Sequence, residues 1–145
     1  MNQKEFPQIR IEDNGKRSIY DELRQRYVAL TPEEEIRQNF IHFLITEKGY
    51  PKNLLANEVG IQLNGTSKRC DSVLYNIDLS PKMIIEYKAP HVPISQKVFD
   101  QILRYNIVLH VEYLIVTNGK QTYICKTNNN QKIEFLHSIP MFCEL

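Results

Sequence analysis

No apolar stretch in this sequence approaches the length of a membrane span, and its polar start, MNQKEFPQ, is not a signal peptide. A cytoplasmic chain is therefore expected. Cysteine is scarce: Cys70, Cys125 and Cys143 are an odd number, widely spaced and without a CxxC, which favours reduced thiols over disulfides or zinc ligands. A charge excess of one sign is also missing. The net charge of +1 and pI near 7.7 lack the basic surplus of a dedicated nucleic-acid binder. A protein with an acidic site can still be near neutral overall and basic on one face, so charge decides nothing here. Gly15-Lys16 is not a phosphate loop, because the glycine five residues upstream is absent and no Ser or Thr follows Lys16. Internal repeats and a low-complexity tail are lacking too. What remains is one ordinary domain over 1–145, of which 1–30 precede the core. Its 42% apolar and 24% charged content suits a soluble globular protein.

The most informative stretch is Pro81 to Pro90, PKMIIEYKAP, an apolar run bracketed by prolines that reads as a buried β-strand. Strand side chains alternate, so Lys82, Ile84, Glu86 and Lys88 are expected on one face. Two charges on a central strand lose hydration unless partners or a metal replace the water. Upstream, Arg69 to Tyr75 suits a second strand carrying Asp71, and the turn formers from Asn76 to Ser80 make the pair an antiparallel hairpin. Asp71 then lies beside Glu86. Two carboxylates and a lysine on one sheet face are what a hard divalent cation and a hydrolytic water require. On spacing alone, a partly exposed ion pair accounts for Glu86 and Lys88 equally well.

Around this centre, Ile9 to Glu12 and Lys16 to Tyr20 read as a hairpin through Asn14-Gly15. Asp21 to Tyr27 reads as a short helix whose Arg24 and Arg26 fit a solvated face better than phosphate contacts. Thr31-Pro32-Glu33-Glu34 starts a long helix, with Thr31 as N-cap and Glu34 at the capping-box position, and Gly49 ends it. Ile36, Phe40, Phe43, Leu44 and Glu47 trace its expected buried stripe, with Glu33 on the same line. The glutamates equally suit the positive end of the helix dipole. Val59 to Leu63 is an expected strand, turning at Asn64-Gly65. Ser95 caps a second helix to about Leu109, with Val98, Ile102, Tyr105 and Leu109 as its stripe and Gln101 one turn from Tyr105. His42, His91 and His110 carry no metal spacing and read as structural or loop residues. Tyr113 to Thr117 suits a central strand parallel to the Glu86 strand. Asn118-Gly119 then leads to Gln121–Lys126, a polar loop at 128–131 and an edge strand to Leu136. This order makes an α/β sandwich.

Asp71, then Glu86-Tyr87-Lys88, then Gln101 and Tyr105 resemble the D…E-x-K…Q-x-x-x-Y pattern of the PD-(D/E)XK nuclease superfamily. More narrowly, Leu30 to Gln38, Gly49-Tyr50-Pro51, Arg69-Cys70-Asp71, Lys88-Ala89-Pro90 and Thr117-Asn118-Gly119 are similar to the N-terminal nuclease domain of type I restriction enzyme R subunits, from about Ile19 to Thr127. Cys70 stands where the superfamily's name has proline. The resemblance implies a restriction-endonuclease-like α/β fold, a mixed central sheet flanked by helices, and Mg²⁺- or Mn²⁺-dependent hydrolysis of phosphodiester bonds, with DNA the expected substrate. It implies that Asp71, Glu86 and the Tyr87 carbonyl bind the metal, joined by Glu33 from the helix start. Lys88 would orient water or stabilise developing charge. Gln101 and Tyr105 would face the active site, contacting the nucleic-acid backbone or orienting Lys88. Lys68 and Arg69 meet a phosphate or serve surface solubility. A complete R subunit carries an ATP-driven motor, for which this chain has no room. A separate motor or specificity subunit is therefore an implied partner, and because one site per chain would cut one strand, duplex cleavage would take a homodimer or sequential nicking. The alternative is a catalytically silent nucleic-acid-binding or docking module on the same fold.

Overall fold

The computed structural model describes residues 6–63, 65–107, 110–128 and 132–145, giving backbone alone at 63, 66 and 105–107. At the N-terminus β1 (Ile9–Ile11), β2 (Arg17–Asp21) and β3 (Arg26–Ala29) form a three-stranded antiparallel sheet. Gly15, at φ 80°, supplies the left-handed residue that the expected Asn-Gly turn requires. The short helix expected from Asp21 to Tyr27 does not form. The Asp21 carboxylate accepts the N–H groups of Leu23 (2.8 Å) and Arg24 (3.0 Å), a local turn that takes donors a helix would need, and the chain enters β3 instead.

Helix α1 (Pro32–Lys48) begins and ends where its signals predict: Thr31 accepts the Glu34 N–H at 3.0 Å, and Gly49 closes it at φ 72°. Its buried face differs from the expected stripe. Glu34, Arg37, Gln38, Ile41 and Leu44 face inward, whereas Glu33 and Glu47 are exposed and Phe43 is at the surface. Polar residues can occupy this face because they satisfy one another: the Glu34 carboxylate takes both Arg37 and Gln38 rather than returning to cap the helix start. Apolar periodicity could not reveal this.

The main sheet has the order β4-β5-β6-β7-β8-β9: β4 (Leu55–Leu63), β5 (Thr66–Tyr75), β6 (Pro81–Tyr87), β7 (Tyr113–Thr117), β8 (Thr122–Thr127) and β9 (Ile133–Leu136). β4 begins four residues before the expected strand. Its neighbours pair antiparallel except β6 and β7, which are parallel and joined through α2 (Gln96–Ile107). Alternation along β6 sorts the core into two layers. Met83, Ile85 and Tyr87 pack with Leu44 and Ile41 on the α1 side, and Ile84 packs with Phe99 and Leu103 on the α2 side. On α2 the core residues are therefore Phe99 and Leu103, with Val98 and Ile102 only half-buried. Both pairs are apolar at i,i+4 spacing, and the helix buries the ridge that carries the larger ring. The Tyr105 side chain lies outside the described residues, as do Asn64, Leu109 and 129–131.

The result is a mixed α/β fold. Among the described residues no helix is long and apolar enough to cross a membrane. Cys70, Cys125 and Cys143 are free thiols.

Candidate active site

The β5–β6 ladder runs to the pair Ser72–Ile85. At the next position a side chain replaces the backbone: Asp71 Oδ2 accepts the Tyr87 N–H at 2.9 Å. The Asp71 carbonyl is in turn taken by Arg37 Nη1 at 3.0 Å. On the other flank Glu58 adopts φ 56°, and the β4–β5 register passes from Asn57–Ser72 to Val59–Cys70 without a Glu58–Asp71 pair. A non-glycine residue in that region is held only by its surroundings, and here the carboxylate of Glu58 is fixed by Arg37 (2.7 Å) and Arg69 (2.9 Å). The sheet thus departs from regular pairing around Asp71, beside the end of β6.

A cleft of about 300 Å³ lies there, lined by Lys68, Arg69, Glu86, Lys88, Val98, Gln101 and Ile102. β6 contributes Glu86 and, just past its end, Lys88, whose N–H is tied to the Thr117 carbonyl at 2.9 Å. α2 presents Gln101 between Val98 and Ile102. Lys82 does not join them. A register shift between Leu74 and Tyr75 breaks the alternation near the start of β6, and Lys82 pairs with Glu112 at 3.4 Å.

Glu86 is the most perturbed member. Burial pushes its carboxyl up to about 7, the Asp71 charge adds to that, and Lys68 offsets part of it. Its Oε1 is sealed from solvent and accepts no hydrogen bond of proper geometry, although Lys68 Nζ stands 3.0 Å away as an ion pair. Such an atom calls for a cation.

The fold brings Asp71, Glu86, Lys88, Gln101, Lys68 and Arg69 to one region. Tyr87 joins through its backbone, while its phenol turns to the opposite layer and meets Ser72 at 3.0 Å. Glu33 is exposed, and it is the neighbouring Glu34 that faces the sheet. Glu34 is bound to Arg37 and reaches Asp71 only through that arginine. The sequence reading passed over Arg37 and Glu58. The i,i+3 spacing of Glu34 and Arg37 was a visible signal, whereas nothing local marked Glu58. A larger cleft, about 670 Å³, lies between α1 and the β7–β8 turn, bordered by Ile36, Phe40, Phe43 and Asn118. None of the residues expected to carry chemistry borders it, so the smaller cleft is the candidate site.

Among the described residues no group of three or more His, Cys, Asp or Glu side chains is placed to hold a metal ion. Two carboxylates remain, Asp71 and Glu86, with the Tyr87 backbone N–H bound to Asp71. A donor set this small is unsuited to zinc but fits a hard cation that keeps several of its waters. The uncompensated Oε1 of Glu86 agrees with that.

Residues 32–140 match the family described as type I restriction enzyme R protein N terminus (HSDR_N). The chain belongs to this family. The solved structures include a similar one, a fragment assigned to an HsdR subunit of a type I restriction enzyme from Vibrio vulnificus YJ016. It is 19% identical with a TM-score of 0.53, and the match covers 77% of this chain and 24% of that one. That likeness extends to the fold, and this R-protein domain spans about a quarter of the HsdR fragment's length. No curated protein matches the chain.

Proposed function

We propose that this domain is a nuclease that hydrolyses phosphodiester bonds of DNA with Mg²⁺ or Mn²⁺, on a restriction-endonuclease-like form of the mixed α/β fold. The observation that carries the reading is that Glu86 and Lys88 line one cleft with Asp71 next to Glu86, in a chain of the R-protein N-terminal family. Asp71, Glu86 and the Tyr87 carbonyl hold the divalent ion. When bound, it supplies positive charge to the scissile phosphate and lowers the pKa of water. Lys88 donates to the phosphate oxygen on which charge grows, an interaction stronger in the transition state than in the ground state. Gln101 steadies the nucleic-acid backbone, Tyr105 lies one helical turn beyond it, and Val98 and Ile102 make the apolar wall that limits water. Arg69, exposed at the rim, meets a flanking phosphate.

One site per chain cuts one strand, so duplex cleavage takes a second copy or a second nick. A motor or specificity subunit delivers the DNA. The test is cleavage of supercoiled plasmid with Mg²⁺ or Mn²⁺ against EDTA. Nicking is expected from the wild type and is lost, by at least about a hundredfold, in Asp71→Ala, Glu86→Ala and Lys88→Ala. Lys88→Arg does not restore full activity, because a planar fork does not replace a point charge there. Equal cleavage by these variants and the wild type would overturn the assignment.

A further inference from the structure

We propose that Lys68 is an internal place-holder for the divalent cation: its ammonium occupies the charge-neutralising position on Glu86 and must leave when the metal arrives. This rests on the metal site proposed above and adds a residue whose role opposes metal binding. Two observations carry it. Lys68 Nζ lies 3.0 Å from Glu86 Oε1, the oxygen otherwise without a partner. Both side chains are largely withdrawn from solvent, at 17% and 14% exposure, so the pair is not an incidental surface contact.

Two cations cannot neutralise one carboxylate oxygen at 3 Å separation without strong mutual repulsion. Binding of the metal therefore includes the cost of breaking the Lys68–Glu86 pair, and apparent affinity for the metal is lower than the carboxylates alone would give. The place-holder also keeps Asp71 and Glu86 from facing each other uncompensated in the metal-free protein. After displacement the ammonium remains in a cleft lined by Arg69 and Lys88, where a phosphate is the available anion.

The experiment is Mn²⁺ titration by calorimetry on the wild type, Lys68→Met and Glu86→Gln, without DNA. Methionine keeps the aliphatic stem and removes the charge, and the thermal melt of each variant checks folding. Lys68→Met is expected to bind Mn²⁺ roughly tenfold more tightly than wild type, the fold-change equivalent to about 1.4 kcal/mol. Glu86→Gln is expected to lose binding. A second readout needs no variant: the side-chain NMR signal of the Lys68 ammonium in ¹⁵N-lysine protein should shift on addition of Mg²⁺. Equal or weaker Mn²⁺ binding by Lys68→Met, or a Lys68 signal that ignores Mg²⁺ while the metal binds, overturns the place-holder and leaves the metal site standing. Absence of Mn²⁺ binding in all three proteins overturns both.

Discussion

Arg37 links more of the site than any residue named from the sequence. Its guanidinium holds Glu34, Glu58 and the Asp71 carbonyl at once, and these carboxylates raise its own proton affinity despite burial. Burial is the largest influence on that group and works in the opposite direction, so the net rise reflects how fully the partners compensate it. Truncating it to Ala leaves buried Glu34 with only the longer Arg24 ion pair at 3.3 Å and releases the hold on Glu58 and the Asp71 carbonyl, a loss of about 3 kcal/mol. Arg37→Lys does not recover this, because an ammonium cannot reach three acceptors through a rigid fork. Urea denaturation midpoints of the two variants against wild type check both statements. Asp71, Glu86 and Lys88 were legible one by one, since their residue types and spacing follow strand alternation. Arg37 was not, because its value depends on where Glu58 and the Asp71 carbonyl arrive from two other elements.

At the level of elements, α1 and α2 show where periodicity informs and where it misleads. Caps were read correctly because Thr31, Ser95 and Gly49 act on their own local backbone. Phase was read only in part: Leu44 is buried as expected and Ile36, Phe40 and Ile102 pack against the core, but the most buried positions lie beside the expected stripes. In α1 the first half of the inward face is polar and self-satisfied, ahead of Ile41 and Leu44; in α2 two adjacent apolar ridges competed. The α2 assignment is open to direct measurement. Phe99→Ala, in the core at 1% exposure, is expected to cost about 3–5 kcal/mol of unfolding free energy. Val98→Ala, half-buried at the cleft, is expected to cost less than about 1 kcal/mol. Comparable losses from the two variants would mean that α2 packs in the phase that apolar spacing suggested.

Across the whole molecule, the N-terminal sheet is bound to the main body through Asp21. Its fully buried carboxylate meets Asn57 of β4 at 3.1 and 3.2 Å and pairs with Arg24, which reaches Glu34 of α1 at 3.3 Å. Burial acts to raise the Asp21 carboxyl, but the Arg24 N–H, the Arg24 guanidinium and Asn57 outweigh it and leave the group below the usual aspartate range. A depressed folded value means that the unfolded chain binds the proton more readily, so stability rises with pH across this titration. The contribution is complete above the unfolded aspartate value, about 3.9, and is lost as pH falls through the lower folded value. Asp21→Asn is therefore expected to be less stable than wild type at pH 7, by about 3 kcal/mol. The difference should shrink below about pH 4, as followed by denaturation at several pH values.

From sequence alone came the hairpin of β5 and β6, the parallel return to β7, both ends of α1 and the start of α2, and the residue types at the cleft. Each of these depends on interactions between near neighbours or on strand alternation, and both are written in local order. The family resemblance also lay in short ordered motifs from about Ile19 to Thr127, and the family match over residues 32–140 overlaps most of that stretch. Only the tertiary structure decided that Glu34 rather than Glu33 faces the sheet, that Asp71 caps Tyr87 instead of continuing the ladder, and that Lys68 stands on Glu86. Those outcomes turn on the cost of burying charge, and that cost is set by which partners arrive from distant parts of the chain.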